Sequence, residues 1–107
     1  MMRKKINREL LSNKTRIKEN SWIAKLAAKK LHAGNMAIVI GNTIYLHNTS
    51  RHDFLQNEKW LKHELCHLRQ FQHYGLVYFL AKYTWEYLKN GYHNNKFEAE
   101  AREAENL

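Results

Sequence analysis

No proline interrupts this chain of 107 residues, and it has only four glycines. Proline removes a backbone donor and glycine carries a large entropy cost in a helix, so their scarcity favours helices joined by short connections. A single cysteine, Cys66, excludes an internal disulfide framework and points to a reducing compartment, the cytoplasm. Long apolar runs are missing too. The longest, Leu76 to Ala81, falls far short of the ~20 residues that cross a bilayer, so a soluble protein without a membrane span is expected. No apolar segment of signal-peptide type follows the basic N-terminus. Acidic residues are few, ten against eighteen Lys and Arg, which leaves a net charge of +8.

Apolar residues make up 44% of the chain, with three Trp, six Tyr and four Phe. That is enough for one compact core and argues against disorder throughout. Much of the positive charge comes early: Arg3, Lys4, Lys5, Arg8, Lys14, Arg16 and Lys18 are opposed there only by Glu9 and Glu19. Residues 1–20 read as a solvated basic arm, with a weak helical stripe of Ile6, Leu10, Leu11 and Ile17. Such an arm could touch nucleic acid, an acidic partner or an anionic membrane surface. The aromatics do not interleave with it, and no nucleic-acid-binding signature accompanies it.

After the arm, Asn20 or Ser21 caps a predicted helix to about His32, stopped by Gly34 and Asn35. Two β-branched runs, 36–40 and 43–47, flank Gly41-Asn42 and predict a tight hairpin. Asp53 then caps a predicted helix from Phe54 to Tyr74, with Trp60, Leu61, Leu65, Leu68 and Phe71 as its buried stripe. Gly75 ends it. Leu76 to Asn90 predicts a further helix, stopped by Gly91, and Asn94 or Asn95 caps a last one.

The second of these helices, Phe54 to Tyr74, carries His63-Glu64-Leu65-Cys66-His67, an H-E-x-x-H pattern. Positions four apart share one helix face, so both imidazoles can reach a single metal ion. Glu64 sits about 100° further round, where its carboxylate can serve as general base to a metal-activated water. Cys66 is not at ligand spacing and reads as a small packed residue. His32, His47 and His52 read as loop or element-end residues without a partner set. Hydrolysis also needs a donor for the developing oxyanion, and Tyr74, Tyr78, Tyr92, His73 and His93 are candidates by residue type.

Zinc chemistry calls for a third protein ligand. After His67 the acidic residues are Glu86, Glu98, Glu100, Glu103 and Glu105. On a helical wheel Phe97, Ala101 and Ala104 mark the apolar face, and Glu100 lies nearer its centre than Glu98.

H-E-x-x-H followed by Glu98-Ala99-Glu100-Ala101 resembles the gluzincin-like metallopeptidases. It is similar in particular to short bacterial members and to the ImmA/IrrE and CAAX-prenyl-protease groups. The stretch from Asn94 to Ala101 looks like the N-x-F-E-x-E-A of small bacterial zincin-like proteins, and His67 to Gln70 like their H-x-x-Q. The resemblance covers about residues 36–105 and implies that Glu98 joins His63 and His67 in holding Zn2+. Those groups usually carry Asp or Asn four residues after the ligand Glu. Arg102 stands there in this chain, where it is expected to pair with Glu98 instead of orienting a histidine.

The expected architecture is therefore α+β: a basic arm over 1–20 and, over 21–107, a mostly helical minimal zincin-like domain. One β-hairpin would pack beside the metal-binding helix. Its Thr43–His47 strand would offer an edge to an extended peptide. The expected function is zinc-dependent hydrolysis of a peptide bond in a peptide or protein substrate, with Glu64 as general base. The alternative is a metal-stabilised, non-catalytic binding or regulatory protein whose basic arm contacts nucleic acid or an acidic partner.

Overall fold

A computed structural model describes residues 15–107, and they form an α+β fold that is mostly helical. In chain order the elements are β1 (Arg16–Lys18), α1 (Trp22–Leu31), β2 (Met36–Ile40), β3 (Thr43–His47), α2 (Arg51–Gln56), α3 (Glu58–Tyr74), α4 (Leu76–Asn90) and α5 (Lys96–Ala104). None of the helices among the described residues is long and apolar enough to cross a membrane.

The hairpin forms in the expected register, with Val39 opposite Ile44 and Ile40 opposite Thr43. Gly41 at φ 63° makes the tight link, a conformation that an L side chain resists. Alternation then sorts the side chains: Ala37, Val39, Ile44 and Leu46 turn inward and join a core with Leu61, Leu65, Leu68 and Phe71 of α3. Ile44, Leu46, Phe54 and Leu61 are almost fully buried. Each such side chain contributes about 1.5–3 kcal/mol relative to exposure.

Part of the segment read as an arm belongs to the sheet. Arg16–Lys18 runs parallel to β3, and Ile17 packs on the core while Arg16 and Lys18 stay exposed. Ile17 thus follows a two-residue period, not a helical one. Residues 1–14, with the rest of the basic arm, lie outside the described residues. The strand order is β1-β3-β2, so Thr43–His47 is central and not the expected edge. Among the described residues, the edge beside α3 that no further strand pairs belongs to β2, which packs directly against that helix.

One predicted helix also divides in two, and two helix ends are capped by residues other than those expected. The predicted Phe54–Tyr74 helix is two helices, broken at Asn57, whose ψ of 94° is extended and whose Oδ1 accepts from the Trp60 amide. Ser50, not Asp53, caps the first, its Oγ accepting from the Asp53 amide. Helix α1 begins on a Ser21 cap and ends at His32, as expected, but the left-handed residue that stops it is His32 itself, at φ 55°, and not Gly34. Helices α4 and α5 fall where the glycines and Asn95 put them.

Candidate metal centre

Helices α3 and α5 pack side by side and bring residues more than thirty apart in sequence into one cluster. On α3, His63 and His67 present Nε2 on the same face, with ring centroids 5.0 Å apart. On α5, Glu98 is buried in the first turn, its Oε1 3.0 Å from Nε2 of His63 and 3.2 Å from Nε2 of His67. One ligand atom from each of the three lies within 4.8 Å of the others, so this group could hold a metal ion.

The opposite ring nitrogens decide what the cluster wants. Nδ1 of His63 donates to Glu105 at 2.8 Å, and Nδ1 of His67 donates to Oε1 of Gln70 at 2.8 Å. The Gln70 amide is oriented in turn, since its Nε2 donates to the Phe97 carbonyl and to Glu100. With both Nδ1 atoms protonated, neutral rings have only lone pairs at Nε2, facing a carboxylate oxygen that is also an acceptor. Three acceptors converging on one point require a cation between them, either added protons or a metal ion. A His/His/Glu donor set of this kind is one that zinc accepts.

Electrostatics agree. Burial alone would lower the affinity of His63 for a proton, but Glu98, Glu64 and Glu105 outweigh it and raise its pKa to about 9. His67 is raised in the same way, chiefly by Glu98 against its burial. Glu98 resists burial through its bonds to the two histidines and to Tyr83, which hold it well below the usual carboxylate range. Glu64, also buried, behaves oppositely. Desolvation pushes it up to about 7, with the two histidines and the Trp60 side chain opposing. Two carboxylates one helix apart thus differ in role: Glu98 stays ionised, and Glu64 is poised to exchange a proton near neutrality.

A cavity of about 330 Å³ opens beside the cluster. His63, Glu64, His67 and Glu98 form its polar end, while Ala27 and Leu31 of α1 and Leu80 and Tyr87 of α4 wall the rest. All five residues of β2 touch it. Neighbouring strand residues point to opposite faces, so a cavity meeting all five runs along the strand's open edge.

The remaining sequence candidates divide clearly. Tyr92 lines the cavity. Its phenol is raised above the usual range by burial and Glu98, and so keeps its proton. Tyr74 instead packs on Phe79 and Phe97, Tyr78 and His73 are exposed, and His93 uses its carbonyl to accept from Arg102. Arg102 therefore does not pair with Glu98 as expected. The carboxylate that orients a histidine is Glu105, one turn further along. Glu100 is exposed and holds Gln70, and Cys66 donates weakly to it. Burial and Glu100 raise the thiol to about 11, so it is not a reactive thiolate. Glu86 accepts from the Lys96 amide at the start of α5 and from Asn90, away from the cluster. His32, His47 and His52 also lie outside it.

Sequence reasoning missed Tyr83, whose hydroxyl donates to Oε2 of Glu98 at 2.6 Å. Its signal was available: Phe79, Tyr83 and Glu86 follow helical spacing on the inward face of α4. Compared with family models, curated proteins and solved structures, the chain finds no match in any of the three.

Proposed function

We propose that this protein is a zinc-dependent peptidase, with His63, His67 and Glu98 as the zinc ligands and Glu64 as general base. The observation that carries the reading is the convergence of three acceptor atoms at the polar end of an open cavity, next to a carboxylic acid tuned to about 7. When bound, zinc would supply a Lewis acid that activates water and polarises a scissile carbonyl. The chain's own residues would do the rest. Glu105 and Gln70 hold the two imidazoles with Nε2 facing the shared point. Glu64 takes a proton from the attacking water and returns it to the leaving amine, as its position between protonated and ionised at neutral pH allows. Tyr92 keeps its hydroxyl proton and supplies a donor within the cavity for the developing oxyanion. An extended peptide would lie along β2, adding to the open edge of the sheet.

The test combines metal analysis with turnover on the purified full chain. Wild type and Glu64→Gln should both carry one zinc per chain, and His63→Ala and Glu98→Ala should lose it. Hydrolysis of a mixed peptide library should be confined to wild type. Turnover by Glu64→Gln at the wild-type rate would remove Glu64 as the base. Metal-dependent stability without any turnover in wild type would favour a binding protein instead.

A further inference from the structure

Helix α4 turns an uncharged face to solvent. At 100° per residue, Val77, Tyr78, Ala81, Thr84, Trp85 and Leu88 fall within about 120° of one another. All six are exposed, Val77 at 79%, Leu88 at 74% and Trp85 at 65%. The opposite side of the same helix buries Phe79 and Glu86. A helix apolar on both sides needs something to cover its outer one.

Lysines edge this face. Lys89 and Lys82 follow Tyr78 round the helix, and the Lys82 ammonium lies 5.0 Å from the Tyr78 ring centroid. Across the cavity mouth, α1 exposes Trp22 and Leu26 with Lys25 and Lys29 among them. The Lys30 ammonium of α1, 5.6 Å from the Tyr87 ring, links the two helices. Tryptophan, tyrosine and leucine bordered by lysine is the composition of a helix that lies in a bilayer interface. A second copy on this face would set lysine against lysine in a chain already at +8.

We infer that α4, with the exposed end of α1, docks on an anionic lipid surface. Val77, Trp85 and Leu88 enter the headgroup boundary while Lys82 and Lys89 reach the phosphates. Leu80 and Tyr87, next on the same helix, line the cavity, so the docked face adjoins its mouth. This inference does not depend on peptidase activity.

The experiment is sedimentation of the full chain with vesicles of phosphatidylcholine, alone or mixed with phosphatidylglycerol. Quenching of tryptophan by brominated lipid is read in parallel. Binding to the mixed vesicles, weakened by salt and accompanied by quenching, is expected. Val77→Ser and Leu88→Ser, both at exposed positions, should each weaken partitioning about tenfold with the circular dichroism unchanged. Lys82→Gln or Lys89→Gln should each cost about fivefold on anionic vesicles only. Vesicle binding indifferent to the α4 substitutions would overturn the proposal, since the basic N-terminal segment would then suffice. So would an absence of quenching, or a concentration-dependent dimer that shields Trp85 and ignores lipid.

Discussion

Nδ1 of His63 donates to the Glu105 carboxylate at 2.8 Å, joining two residues 42 apart in sequence. Glu105 is the cap residue just past α5, and Lys62 of α3 donates to the terminal Leu107 carbonyl beside it. The tail is therefore fastened to the helix that carries the histidines. A partner of this kind fixes tautomer and ring orientation, and losing it typically weakens metal binding about 10–100-fold. Glu105→Ala should fall in that range, and Glu105→Gln, which retains an accepting oxygen, should lose less. Competition with a chromophoric chelator reads both. Equal zinc affinity in all three proteins would show that His63 needs no such partner.

The cluster also fixes a pH dependence for the metal-free protein. Glu98 has a lowered pKa, so its contribution is present above about 4.5 and lost in stronger acid. Glu64 is raised from 4.5 to about 7, so what it contributes is full below 4.5 and is lost as pH rises through 7. His63 is raised from 6.5 to about 9, giving a contribution full below 6.5 and lost through 9. Glu64 and His63 therefore push the metal-free Tm downward between pH 4.5 and 9, while the Glu98 contribution stays constant over that interval. Zinc reverses the trend because it needs neutral imidazoles, so its affinity should strengthen with pH across the same interval. Differential scanning fluorimetry with and without zinc would reveal the crossing curves. Glu64→Gln should flatten the limb from 4.5 to 7 and keep the second limb but end it below 9, since the Glu64 charge helps to raise His63. A metal-free Tm that climbs through that second limb would contradict the protonated His63 pair.

Tyr83 supports Glu98 from the other side, through a hydroxyl 2.6 Å from Oε2. Tyr83→Phe removes a hydrogen bond to a buried charged group, which costs about 1.5–3 kcal/mol. Ring packing on Phe79 and Phe97 is retained. The variant should stay folded, melt earlier and bind zinc more weakly, because one Glu98 oxygen is left to wander. Urea titration and chelator competition measure the two effects separately. A stability loss with unchanged zinc affinity would confine Tyr83 to packing.

What could be read in the sequence was local in origin. The hairpin follows from two alternating runs around Gly41, and α5 from the Asn95 cap, each decided within about ten residues. His63 and His67 meet because four residues make one helical turn. Long-range pairing was the hard part. Arg16–Lys18 has one half-buried side chain and no apolar run, and only its distant partner Thr43–Tyr45 makes it a strand. That pairing turned the expected edge strand into a central one. The break at Asn57 was legible in principle, as an Asn before an acidic first turn is a cap signal, but continuous apolar periodicity masked it. Glu98, Arg102 and Glu105 share a helix face by spacing. Charge alone suggested an Arg102–Glu98 pair, whereas the guanidinium bonds the His93 carbonyl and leaves Glu105 to meet His63.

Asn95 ties the cap of α5 to the site. It is fully buried, its Oδ1 accepts from the Phe97 amide at 2.9 Å, and its Nδ2 donates to the Tyr83 carbonyl at 3.3 Å. One side chain thus starts the helix that carries Glu98 and anchors it to the helix that carries Tyr83. Asn95→Ala loses a cap, worth about 1 kcal/mol, and orphans a buried amide and carbonyl at about 1–3 kcal/mol each. Asn95→Asp keeps the accepting oxygen but sets an acceptor against the Tyr83 carbonyl, so the cap survives and the anchor does not. Asn95→Ala should therefore be the less stable in urea, with both variants weaker than wild type for zinc. If Asn95→Asp instead matched wild-type zinc affinity, the link to Tyr83 would be irrelevant to where Glu98 sits, and only the helix cap would matter.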